Sequence, residues 1–253
     1  MARVRAPGAS IAGVRCWDAA EVMRRLRSSG RTVEGMRIVI AGGHGQIALR
    51  LERLLAARGE EVAGIIRNAE QSDDLRAASA EPLVLDLESA SVEEVAAVLR
   101  GADAAVFAAG AGPGSGTARK DTVDRGSAVL FADAAVLAGV RRHVVVSSMG
   151  ADPTHSGDGV FDVYLRAKGE ADAYVRGLDA LDWTILRPGS LTNGAGTGLV
   201  RLEAHTGLGS IPRDDVAAVL LELVETPATA GLTLELIGGS APVSVAVKSV
   251  AGN

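Results

Sequence analysis

The sequence predicts a doubly wound α/β domain, a mostly parallel sheet covered by helices on both faces, with a small C-terminal appendage on the substrate side. Three observations predict it. From Met36 onward, short and continuously apolar runs alternate with longer helical patterns, as strands buried on both faces require. A glycine-rich turn, Gly42-Gly43-His44-Gly45-Gln46-Ile47-Ala48, directly follows the first apolar run and opens an amphipathic helix. The distinctive polar residues fall just after the apolar runs, where open α/β sheets hold their ligands.

The expected strands are Arg37–Ala41, Glu61–Ile66, Leu83–Asp86, Ala104–Ala108, His143–Ser147, Trp183–Leu186 and Thr233–Ile237. The expected helices are Gly45–Arg58, Ser91–Arg100, Val123–Gly139, Asp162–Leu178 and Asp214–Thr226. Strand, helix and parallel strand make a right-handed crossover, and repeating that unit builds a Rossmann sheet. Within the first unit, Gly42 permits the tight turn and Gly45 lets the backbone approach a pyrophosphate. Ala48 is small enough for helix and strand to pack closely. The helix N-terminus, including Gln46 and Ile47, offers N–H donors and a partial positive charge to phosphates. His44 either adds a donor to those phosphates or covers the turn.

After the second strand comes Arg67, near where an NAD-specific enzyme places a carboxylate on the ribose hydroxyls. A guanidinium there can grip a 2′-phosphate instead, so NADP is expected over NAD. The alternative is a solvated surface arginine. After the third strand, Asp86 can accept from the adenine amino group, or cap a helix, while Leu87 packs on the ring. Ala108, Ala109 and Gly110 end the fourth strand, small residues where the chain passes close to a cofactor or simply packs tightly. The next loop, Gly110–Gly116, is glycine-rich and flexible.

The fifth strand ends in Ser147-Ser148-Met149-Gly150, and Tyr164-Leu165-Arg166-Ala167-Lys168 follows near a helix start. Residues four apart on a helix share a face, about 5–6 Å between Cβ atoms. Tyrosine has an unperturbed pKa of about 10, and a neighbouring ammonium favours the phenolate. A serine hydroxyl can orient a carbonyl oxygen beside such a pair.

Taken in this order, the motifs resemble short-chain dehydrogenase/reductases, more closely the atypical branch of NmrA-like, flavin/biliverdin reductase-like and sugar-epimerase-like proteins. The resemblance runs from Met36 to Ile237. It rests on the Gly42–Ala48 turn, Val123-Asp124, Val144–Gly150, Tyr164 to Lys168, Leu181–Gly189 and Arg213–Ala217. It implies that Gly42, Gly45 and Gln46 bind pyrophosphate, Arg67 the 2′-phosphate, and Asp86 and Leu87 the adenine. It further implies that Ser148, Tyr164 and Lys168 carry catalysis, with Ser147 an alternative hydroxyl, and that the backbone at Pro188-Gly189 faces the nicotinamide. The implied activity is NADP-dependent hydride transfer to or from a small carbonyl, alcohol, quinone or flavin-like substrate. Two alternatives are a non-catalytic NADP-binding redox sensor and a nucleotide-sugar epimerase or dehydratase.

The remaining features bound the reading. At 253 residues the chain is expected to hold one domain over 36–253, with residues 1–35 a basic, mobile extension ahead of a natural start at Met36, the alternative being a targeting peptide. A net charge of −5 gives no reason to expect nucleic acid. The single cysteine, Cys16, suits a reducing, cytoplasmic compartment, and four scattered histidines predict no metal site. No apolar run is long enough for a membrane span, and a monomer or homodimer acting on a small molecule is expected. Arg119-Lys120-Asp121 could bind an anionic substrate or the cofactor phosphates, with a solvated loop the preferred reading, and Asp214-Asp215 read as caps of their own helix that complement its dipole.

Overall fold

The computed structural model describes residues 35–112 and 114–252. The basic leader and Cys16 therefore lie outside the described residues, Gly35 apart. The core of the fold is a nine-stranded sheet built from β1 (Arg37–Ala41), β2 (Glu61–Ile66), β3 (Glu81–Val84), β4 (Ala104–Phe107), β5 (Arg142–Val146), β6 (Asp182–Pro188), β8 (Leu199–Glu203), β10 (Leu232–Gly238) and β11 (Ala241–Pro242). Its spatial order is β11-β8-β10-β6-β5-β4-β1-β2-β3. From β3 across to β10 every neighbour is parallel, whereas β8 pairs antiparallel with both β10 and β11. The expected doubly wound Rossmann sheet is thus the observed one. The strand order reverses between β1 and β4, which opens a crevice beyond their carboxyl ends.

Side-chain alternation in β1 explains why both faces are covered. Ile38 and Ile40 enter one core with α1 (Ala48–Ala57) and α6 (Arg213–Val224), contributing Leu51, Leu55 and Leu220. Val39 and Ala41 enter the other, with Leu99 of α3 (Val92–Leu99) and Phe131 of α4 (Ala128–Ala138). Adjacent residues of a strand point to opposite faces, so an uninterrupted apolar run serves two cores at once. The short α2 (Ser72–Ala77), the long α5 (Val160–Arg176) and the C-terminal α7 (Val243–Ala251) complete the layers. No described helix is long and apolar enough to cross a membrane.

Several boundaries differ from expectation. β3 begins at Glu81, two residues before the expected Leu83, and includes Pro82. It is an edge strand bonded only to β2, where the missing proline donor leaves no gap in the ladder. Asp86 leaves the strand because its Oδ1 accepts the N–H of Glu88 at 3.0 Å, which closes a turn. Upstream of α4 the chain forms a π-helical segment, Lys120–Ser127, where a solvated loop was expected from Arg119 to Asp121. Lys120, Val123, Asp124 and Ser127 are buried there. Asp214 and Asp215 do not cap α6; their carboxylates accept the N–H groups of Gly196, Thr197 and Gly198 and pin that loop. The C-terminal appendage is β8, β10 and β11 together with a two-stranded parallel sheet of β7 (Ser190–Thr192) and β9 (Ser210–Pro212).

One close packing contact links the fold to the site. A Cβ on Gly169, in mid-α5, would lie 2.2 Å from the Asp152 carbonyl carbon and 2.3 Å from the Pro153 nitrogen. Backbone there cannot yield without moving the loop between Ser148 and Tyr164. Gly169→Ala is expected to cost at least ~1–3 kcal/mol of folding stability. Urea unfolding measures it, and an unchanged midpoint would show that helix and loop separate freely.

Candidate cofactor and active site

At the end of β1 the chain turns sharply because Gly42 adopts φ +79°, a region that suits glycine. A Cβ at Gly42 would sit 2.7 Å from the Ala109 Cα, and one at Gly43 would sit 2.8 Å from the Gly64 Cα. The turn is therefore wedged between the ends of β4 and β2. The N–H groups of Gly42 and Gly43 donate to the Ile65 carbonyl at 3.2 and 2.9 Å, and Gly45 donates to Gly42 at 2.8 Å. Those donors hold the turn rather than a ligand. Among the described residues, Gln46 and Ile47 keep N–H groups with no backbone acceptor, at the start of α1. Such a cradle, closed to any side chain and carrying free donors at a helix N-terminus, fits a pyrophosphate.

Two cavities meet at this turn. One of about 280 Å³ is lined by His44, Arg67, Asp86, Leu87, Glu88 and Arg119. The other, about 790 Å³, is lined by Gln46, Lys120, Ser148, Tyr164, Lys168 and Pro188. Gly45, Ala108, Ala109 and Gly110 line both and form the seam.

At the smaller end, Asp86 and Leu87 lie on the wall, with one Asp86 oxygen committed to its turn. His44 lines this end, and its Nε2 lies 2.7 Å from Oδ2 of Asp74, on α2. Arg67 is exposed and lies 3.4 Å from Glu88. Glu88 also takes Arg119 at 2.6 Å and the Thr122 hydroxyl at 2.8 Å. The Arg119 guanidinium, then Thr122 and Arg67, holds the Glu88 carboxyl below the usual range.

At the larger end, the two serines differ. Ser147 is buried and its hydroxyl donates to Asp172 at 2.9 Å, so it is engaged in the protein interior. Burial pushes the Asp172 carboxyl up, opposed by Arg187, whose Nη2 lies at 2.7 Å. Ser148 is half-buried on the cavity wall, and its hydroxyl donates only to the Met149 carbonyl at 3.2 Å. Tyr164 is half-buried and stacks on the exposed Phe161, with ring centroids 6.0 Å apart. Its hydroxyl has no hydrogen bond among the described residues. Pro188 is a buried part of the wall, and its carbonyl accepts from Met149 at 3.0 Å.

Lys168 is one turn beyond Tyr164 but faces inward. Its Nζ donates to the Val146 and Ala109 carbonyls at 3.3 and 3.4 Å and pairs with buried Asp124 at 3.4 Å. The cation over the Tyr164 ring is Lys120, 5.1 Å from the centroid. Lys120 also donates to Gly112 at 3.0 Å and lies 3.8 Å from Asp124. Sequence reasoning named Lys120 only within Arg119-Lys120-Asp121, where it preferred a solvated loop to an anion-binding segment, and it missed Glu88, for which the sequence carries no signal.

Comparison with known proteins places this geometry. A sugar epimerase of uncharacterised activity from Bacillus subtilis, YhfK, is 33% identical over 216 residues, covering 85% of this chain and all of that protein. A solved structure from Bacillus halodurans, whose name assigns it to the NAD-dependent epimerase/dehydratases, is 36% identical with a TM-score of 0.78. It covers 85% of this chain and all of its own. ChuY, an anaerobilin reductase from Escherichia coli O157:H7, is 26% identical with a TM-score of 0.67, over 80% of this chain and 97% of its own. The model of the NAD(P)H-binding family matches residues 42–227, beginning at the first glycine of the turn. That span takes in the whole seam and both cavity walls, so the chain belongs to the NAD(P)H-binding family, in its atypical short-chain dehydrogenase/reductase-like branch of Rossmann oxidoreductases.

Proposed function

We propose that the protein is an NADP-dependent oxidoreductase acting on a small carbonyl, alcohol, quinone or flavin-like substrate. The observation that carries the reading is the pair of cavities meeting at a glycine turn, guanidinium groups at one end and an unengaged phenol at the other. When bound, the cofactor would supply a hydride donor or acceptor at its nicotinamide. The free N–H groups of Gln46 and Ile47 would hold the pyrophosphate at the seam. Arg67 would take the 2′-phosphate, and Asp86 and Leu87 the adenine. Ala108 to Gly110 carry no side chain beyond a methyl group and leave room for the ribose. Pro188 would form the wall behind the nicotinamide.

In the direction of reduction, Tyr164 would give its hydroxyl proton to the oxygen of a carbonyl substrate. The Ser148 hydroxyl would turn from Met149 to orient that oxygen. Lys168 would hold the ends of β4 and β5 in register through Ala109 and Val146, with Asp124 balancing its charge. Val160, Phe161 and Leu191 give the mouth an exposed apolar rim, which suits a flat, weakly polar substrate. An epimerase or dehydratase reading draws on the names of two relatives; it expects purified protein to retain tightly bound dinucleotide.

Titration of the purified protein with NADPH and NADH tests the cofactor assignment. NADPH is expected to bind more tightly, and Arg67→Ala to weaken NADPH alone by about tenfold or more, as loss of a hydrogen bond to a charged group does. Equal loss for both dinucleotides would remove Arg67 from the 2′-phosphate. Failure to bind either would leave the function in a partner interaction.

A further inference from the structure

The adenosine end of the cleft contains an arrangement that its assigned role does not use. Glu88 sits in the turn after β3, and its carboxylate gathers donors from two separate stretches of the chain, one after β2 and one running from Thr117 to Ser127. Arg67 follows β2, Arg119 ends the helical turn Thr117–Arg119, and Thr122 belongs to the π-helical segment. Oε2 lies 2.6 Å from Arg119 Nη2 and 3.4 Å from Arg67 Nη1. Oε1 accepts from the Thr122 hydroxyl at 2.8 Å and lies 3.5 Å from Arg119 Nε. Two guanidinium groups and a hydroxyl thus converge on one anion in the wall of the smaller cavity. That donor set is the one a phosphate dianion requires, since guanidinium forks match its oxygens and add opposite charge.

We infer that Glu88 is an internal anion occupying the cofactor's 2′-phosphate clamp, and that Arg119 is the second arginine of that clamp. The inference rests on the proposed preference for NADP. Without a phosphate, Glu88 keeps two neighbouring cations from facing each other unpaired. The carboxylate is on a flexible side chain in an exposed turn, so it can swing out as a phosphate enters. A phosphate of nearly twice the charge then replaces it on Arg67, Arg119 and Thr122. A dinucleotide without the 2′-phosphate has no group with which to displace Glu88. Glu88 therefore competes with the 2′-phosphate and lowers the affinity for NADPH alone, while the arginines raise it. Asp86 shares this wall and opposes any added negative charge, so both guanidinium groups are needed for the exchange.

The test is calorimetric titration of the full chain with NADPH, NADH, 2′,5′-ADP and 5′-ADP, for the wild type, Glu88→Gln, Arg119→Met and Arg67→Ala. Thermal melting of each variant checks that it folds. Glu88→Gln is expected to tighten NADPH and 2′,5′-ADP by about tenfold and to leave NADH and 5′-ADP unchanged. Arg119→Met is expected to weaken the two phosphate-bearing ligands by about tenfold or more, again leaving the others unchanged. Equal weakening of NADPH and NADH by Glu88→Gln would make Glu88 a direct ligand of the adenosine and overturn the inference. So would wild-type behaviour of both variants alongside a loss of NADPH selectivity in Arg67→Ala; the NADP reading would then survive alone. If neither the wild type nor Glu88→Gln prefers NADPH to NADH, the NADP reading fails and the inference fails with it.

Discussion

Tyr164→Phe is expected to lower turnover by ~10²–10⁴-fold, the usual contribution of a positioned proton donor, while NADPH affinity changes little. The expectation follows from which hydroxyls are engaged. Ser147 is tied to buried Asp172, and Ser148 rests on the Met149 carbonyl, whereas the Tyr164 hydroxyl has no partner among the described residues. Removing one oxygen from the larger cavity leaves the glycine turn, the seam and the arginines untouched. The loss should therefore fall equally on kcat and kcat/KM, as for an interaction made only in the transition state. Steady-state kinetics over a panel of carbonyls, quinones and flavins, paired with NADPH titration, measures both quantities. Turnover at the wild-type rate would assign the proton to another group.

The second large effect concerns stability and pH. Glu52 of α1 is fully buried beneath the glycine turn, and neither carboxylate oxygen has a hydrogen-bond partner among the described residues. Its Oε1 lies 2.7 and 3.1 Å from where side chains on Gly64 and Gly43 would begin. Burial pushes its pKa from 4.5 up to about 8, with Arg53 opposing. The folded state therefore keeps a proton that the unfolded state releases, and stability falls as pH rises from 4.5 to about 8. His143 acts in the opposite sense. It is buried against Phe131 without a hydrogen-bond partner, and burial, then Arg142, lowers its pKa from 6.5 to about 4. Stability lost to His143 on acidification is regained as pH rises from about 4 to 6.5.

The two slopes offset each other up to pH 6.5, and above it the Glu52 slope remains. Each pH unit in that window costs on the order of 1.4 kcal/mol. Glu52→Gln removes the ionisation while keeping the shape. Its urea midpoint is expected to stay level between pH 6.5 and 8, where the wild type declines. A wild-type midpoint that does not move over that interval would mean that Glu52 finds a partner in solution.

The sequence carried the sheet because its strands are buried on both faces. Apolar runs such as Ile38-Val39-Ile40 have no other stable place, and the chain order of strands and helices leaves one right-handed way to connect them. The glycine turn was legible for a related reason: strand, turn and helix are adjacent in sequence, so their geometry is local. The Tyr164–Lys168 spacing showed a shared helical face, but could not show that Lys168 turns inward to Val146 and Asp124. The edges of the sheet were harder to read. β8 is short and alternates Val200 and Leu202 with exposed residues, a weaker signal than a continuous apolar run, and α7 is rich in valine, so local preference and final structure disagree in that helix.

By itself, then, the sequence determined the parallel sheet, the glycine turn and the chain positions from which the candidate site residues emerge. Only the tertiary structure decided which charges meet. Lys120 lies over Tyr164, Ser147 turns to Asp172, and Glu88 sits between Arg67 and Arg119. Each contact joins segments that are remote in sequence or separated by a π-helical turn. Local periodicity describes one element at a time, whereas the partner of a buried charge is chosen by the packing of all of them.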